Sequence, residues 1–85
     1  MISCAWTSHA DRQFRKLPVG LQRQILKKLD FFLAAPDPVH FAEPLMGHRG
    51  HVFRFRVVGD YRVIFEVEGN RCLILEVGHR REVYR

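Results

Sequence analysis

Lysine is scarce and confined: Lys16, Lys27 and Lys28 are the only three in 85 residues, and none follows position 28. No apolar run reaches the length needed to span a bilayer, and the first residues lack a basic stretch followed by an apolar one, which argues against a secretory leader and for a cytoplasmic location. The two cysteines, Cys4 and Cys72, have no metal-type spacing and sit in strand-like apolar runs, where reduced, buried thiols are expected. Five histidines (His9, His40, His48, His51 and His79) likewise show no ligand pattern, so neither a metal nor a cofactor is expected. There is no repeat, no low-complexity segment and no linker, and the length fits one domain over residues 1–85.

What is present is arginine. The net charge is +5, and all eight basic residues after position 48 are Arg. A positive balance favours an anionic partner, and a guanidinium offers a planar fork for phosphate where an ammonium is a point charge. Apolar residues make up 47% of the chain, enough for one core without staples.

The pattern predicts a strand over 2–7 and then a helix over 8–16, capped by Thr7 or Ser8, with Ala10, Phe14 and Leu17 on one side. Pro18 suits the first turn of a second helix, in which Leu21, Ile25, Leu29 and Phe32 form an apolar stripe widened by Leu26 and Leu33. Pro36 and Pro38 are expected to end it. Residues 35–50 read as a loop. Strands are expected at about 51–57, 61–67 and 71–77, joined by VGD (58–60) and EGN (68–70).

The segment HVFRFRVVGDYRVIF (51–65) alternates apolar residues with arginine. Three-residue loops put Phe53 opposite Phe65 and Phe55 opposite Val63, so that odd positions face the helices and Arg54, Arg56 and Arg62 share the other face. The same rule extended to the last strand sends Cys72, Ile74 and Glu76 to the arginine face, with Glu76 opposite Arg62. The expected fold is α+β: an N-terminal strand and a helical hairpin packed on one face of a small, mainly antiparallel four-stranded sheet. Arg56 opposite Arg62 is a like-charge pair that costs stability unless an anion intervenes. A bound polyanion explains it; a salt-bridged solvent face using Glu66 and Glu76 is the alternative. The chain closes on LEVGHRREVYR (75–85), where Arg80 continues the cationic parity and Tyr84 offers a ring on which a base can stack.

The segments GDYRVIFEVEGN and LILEVGHRREVYR, together with the order strand, helical hairpin, strands, resemble the RelE/ParE superfamily of toxins from toxin–antitoxin modules. The last segment favours the RelE branch. That resemblance implies a metal-independent endoribonuclease that cleaves mRNA in the ribosomal A site through the RNA's own 2′-hydroxyl, and a cognate antitoxin as partner. It implies a site of Arg54, Arg56, Arg62, Arg80 and Tyr84. The alternatives are a ParE-like inhibitor of DNA gyrase and a non-catalytic binding module on the same scaffold. Two departures stand out. The hairpin positions often held by Lys in RelE proteins are Arg54 and Arg56 here, and arginine is a poor proton acceptor. The base must then be sought elsewhere: His79 first, then Tyr84 or Glu66. The second departure is that no helix-length segment follows Tyr84.

Overall fold

The computed structural model describes residues 3–35, 42–44, 52–79 and 81. Strand β1 (Ser3–Trp6) leads into helices α1 (Ser8–Arg15) and α2 (Val19–Leu33), followed by β2 (Glu43–Pro44), β3 (Val52–Val58), β4 (Tyr61–Glu68) and β5 (Arg71–His79). The sheet order is β1-β5-β4-β3-β2, with β1 parallel to β5 and the other pairs antiparallel. The class is the expected α+β, but the sheet has five strands rather than four. The extra one, β2, lies within the segment read as a loop; two residues containing a proline carry no alternation from which a strand could be read.

Thr7 starts α1 as expected: its side-chain oxygen accepts from the Ala10 amide at 3.0 Å, satisfying one of the donors that a helix start leaves open. Pro18 sits at the N-cap of α2, and its carbonyl accepts from the Gln22 amide at 3.0 Å. Ile25, Leu29 and Phe32 are buried on α2, whereas Leu26 is exposed rather than part of the stripe. Pro36 and Pro38 lie outside the described residues. The core gathers Ala10, Ile25, Leu29 and Phe32 from the helices and Phe55, Val57, Val63, Phe65, Cys72, Ile74 and Val77 from the sheet. At its centre the Phe55 ring stacks on Phe65 and on Phe32, with centroids 4.3 and 4.6 Å apart.

The β3–β4 register is the expected one for Phe53–Phe65, Phe55–Val63 and Arg56–Arg62. The loop that produces it differs. A two-residue turn, Gly59-Asp60, closes Val58 against Tyr61, and a bulge at Val57 absorbs the extra residue. Gly59 takes the positive φ of 54°, and no described non-glycine residue does, so glycine rather than the following Asp or Asn supplies the left-handed geometry.

The β4–β5 expectation is corrected. The turn is Gly69-Asn70, which pairs Val67 with Cys72 and Phe65 with Ile74. Cys72 and Ile74 therefore face the core, not the arginines. A second bulge, at Leu75, then resets the register, so Ile64 pairs with Glu76 and Arg62 with Gly78. Helix α1 and its cap brace this bulge. The Thr7 amide donates to the Ile74 carbonyl at 3.0 Å, the Thr7 hydroxyl to the Leu75 carbonyl at 3.3 Å, and the Val77 amide to Gln13 Oε1 at 2.8 Å. Backbone groups that a bulge removes from the ladder thus find partners on the helical side.

Candidate functional site

Residues opposite one another on adjacent strands point to the same face. Arg54 stands opposite Ile64 and Arg56 opposite Arg62, so three guanidinium groups share the face turned away from the helices, with Ile64 buried between them. Arg62 is the most enclosed: it retains 7% of its exposure. Its Nη1 donates to the carbonyls of Gly59 at 3.1 Å and Tyr61 at 3.3 Å, and its Nε is buried without a hydrogen-bond partner among the described residues. No carboxylate of the described residues pairs with it. Gly78, across the other ladder, has no side chain to compete for its space.

A residue that the sequence pattern did not single out completes the face. Glu43, on β2, pairs in register with Arg54 and hydrogen-bonds to its Nη2, and its other oxygen lies 3.6 Å from Arg56 Nε. The Arg54 hydrogen bond, reinforced by the charges of Arg54, Arg56 and Arg62, holds the Glu43 carboxyl below its ordinary value despite an opposing desolvation effect. An acidic residue next to a proline in an apparent loop gave no reason to place it among the arginines. Glu66 shares the parity of Arg62 and Ile64 and is half-buried on the same face. Glu76 also turns this way, and His9 approaches it at 3.7 Å past the end of the short edge strand β1.

His79 is placed differently from the expectation. It pairs with Tyr61, so its ring lies on the Tyr61 side of the sheet, 5.6 Å from that ring and edge-on. Its Nε2 is 3.8 Å from Asp60 Oδ2, and its Nδ1 accepts from the Arg81 amide at 3.3 Å. The structure thus brings Arg54, Arg56 and Arg62 together and does not bring His79 to them. Arg80 and Tyr84 lie outside the described residues. Among the described residues no group of His, Cys, Asp or Glu could hold a metal ion, and no helix is long and apolar enough to cross a membrane.

The chain belongs to the family of ParE toxins of type II toxin–antitoxin systems, parDE, whose model matches residues 5–84. No curated protein sequence matches it significantly. Among solved structures it is similar to the toxin–antitoxin complex RelBE2 from Mycobacterium tuberculosis, with 25% identity, a TM-score of 0.78, and coverage of 93% of this chain and 91% of that one. The intact E. coli RelBE toxin–antitoxin complex shares the fold at 21% identity and a TM-score of 0.76, over 93% and 96% of the two chains. The isolated E. coli RelE toxin does so at 21% identity and 0.75, over 93% and 84%.

Proposed function

We propose that this toxin is a ribosome-dependent mRNA endoribonuclease that cleaves in the ribosomal A site, with the arginine face as its phosphate site. The observation that carries the reading is Arg62: a guanidinium nine-tenths buried, directly opposite a second arginine, with no carboxylate partner among the described residues. The two carbonyl hydrogen bonds only about offset the cost of burying this charge, so the fold gains nothing net from an arginine here, whereas a phosphate gains from it.

In the reaction the RNA 2′-oxygen attacks the adjacent phosphorus and the bond to the 5′-oxygen breaks. The products are a 2′,3′-cyclic phosphate and a 5′-hydroxyl. Arg54, Arg56 and Arg62 stabilise the charge that grows on the phosphoryl oxygens, with Arg80 contributing a further cation and Tyr84 a stacking surface. Of the proton acceptors weighed from the sequence, Glu66 has the parity of the arginine face and His79 that of Tyr61, which favours the carboxylate. In the free protein Glu43 occupies Arg54 and Arg56, and a phosphate entering the face competes with it.

A cognate antitoxin restrains the toxin. The similar RelBE structures are of complexes with such partners. On this chain Phe31 is exposed on α2 beside Lys27 and Lys28, a surface suited to an acidic amphipathic segment. Inhibition of DNA gyrase is the second reading, favoured by the match to the ParE family model, and it needs no reacting group.

The test is cleavage of ribosome-bound mRNA carrying a 2′-deoxynucleotide at the scissile position. The 2′-hydroxyl mechanism predicts that one such replacement abolishes cleavage there. Undiminished cleavage refutes it.

A further inference from the structure

We propose that Cys4 and Cys72 form a peroxide-reactive thiol pair that closes to an intramolecular disulfide between β1 and β5. The two residues are direct partners in the parallel ladder of β1 and β5. Adjacent strands lie about 4.8 Å apart, inside the roughly 4.4–6.8 Å window of Cα separations that a disulfide spans. Partners in register point to the same face, and here it is the core side: Cys72 is buried in the core cluster and Cys4 packs against it. Both thiols are free.

The two sulfurs are not equivalent. Among the described strands β1 lies at the edge, beside β5, and Cys4 is half-buried while Cys72 retains 3% of its exposure. A hydrogen bond with Cys72 lowers the Cys4 thiol, and that same contact, together with burial, pushes Cys72 up. Of the two sulfurs, Cys4 is therefore the one that a small oxidant can reach, and it reacts first as its thiolate.

The Cys4 thiolate attacks one oxygen of hydrogen peroxide and breaks the O–O bond. This gives a sulfenic acid on Cys4 and, after protonation, one water. The Cys72 sulfur then attacks the Cys4 sulfur, loses its proton, and expels the hydroxyl as a second water. Two thiols are oxidised, one peroxide is reduced, and a disulfide remains. The link closes a ring from residue 4 to residue 72 that contains both helices and the Arg54, Arg56 and Arg62 strands.

The test is brief exposure of the folded, purified protein to hydrogen peroxide, followed by intact mass, peptide mapping and thiol titration in denaturant. Expected is a monomer that has lost two hydrogens, with Cys4 and Cys72 peptides joined and both thiols restored by dithiothreitol. Cys4→Ser should slow peroxide-dependent thiol loss by about tenfold or more. Cys72→Ser should leave a Cys4 sulfenic acid that dimedone captures, which keeps the order of steps testable if either variant is less stable. Thiols that persist in the folded protein, a disulfide that forms only after unfolding, or a cross-link between two chains would each overturn the proposal.

Discussion

Replacing Arg62 by methionine separates what this residue does for stability from what it does for function. Methionine keeps an unbranched apolar stem in place of the buried arginine stem and removes the charge. Two hydrogen bonds to the Gly59 and Tyr61 carbonyls are lost, each worth about 1–2 kcal/mol net. Against this, the substitution relieves the desolvation of a group left with 7% exposure, a matter of several kcal/mol, and a like-charge pair with Arg56 worth roughly 0.2–1 kcal/mol. The terms nearly cancel, so Arg62→Met should unfold in urea within about 1.5 kcal/mol of the wild type, on either side. Cleavage should fall by about 10²–10³, the usual cost of removing one oriented donor from a developing anion. The salt dependence of single-stranded RNA binding should flatten by about 0.7 in slope, one phosphate contact fewer. Urea melts, single-turnover cleavage on programmed ribosomes and a salt titration read these three quantities. A loss of more than about 3 kcal/mol of stability, or a cleavage rate within a few fold of wild type at an unchanged salt slope, would show that Arg62 is there for the fold.

Glu43→Gln should tighten RNA binding several-fold, since it removes the carboxylate that sits on Arg54 and Arg56. The same variant tests a pH effect. A carboxyl lowered from 4.5 in the folded state contributes stability that is fully present above 4.5 and is lost as pH falls through the lowered value, so acid melts of Glu43→Gln should lack that component. Phe55→Ala removes a ring stacked on both Phe32 and Phe65 and should cost about 3–5 kcal/mol, enough to populate the unfolded state of so small a domain in a thermal melt. Phe31→Glu should cost about 0.5–1.5 kcal/mol of stability, from the lost edge-on contact with Phe32, while weakening antitoxin binding about tenfold or more, as measured by calorimetry with the cognate partner.

The arginine face was legible because β3 and β4 alternate sharply: Phe53, Phe55 and Val63 against Arg54, Arg56 and Arg62. A one-residue slip would have buried charge among phenylalanines, so the pattern itself selected the register. Strand β5 offers no such contrast. Cys72, Leu73, Ile74 and Leu75 are all apolar, and either face accepts either parity. There the register depends on the bulge at Leu75, which is held by Thr7 and Gln13, more than sixty positions away in sequence. That distant bracing carries no local signal. Glu43 was missed for a related reason: its role comes from lying opposite Arg54 across the sheet, not from its neighbours in the chain. His79 read as a groove residue because it adjoins Arg80 beyond an expected strand end at Gly78, but β5 continues through His79 and pairs it with Tyr61.

The most direct test of the account sets the two proposed targets side by side. Purified wild-type protein, titrated from substoichiometric to excess, is added to ribosomes programmed with a defined mRNA and, separately, to DNA gyrase supercoiling a relaxed plasmid. Primer extension reads the first reaction and gel topology the second. The account predicts new mRNA 5′ ends within the A-site codon, bearing 5′-hydroxyls, at toxin concentrations that leave supercoiling unaffected. Intact mRNA together with blocked supercoiling would contradict it and assign the arginine face to a protein partner.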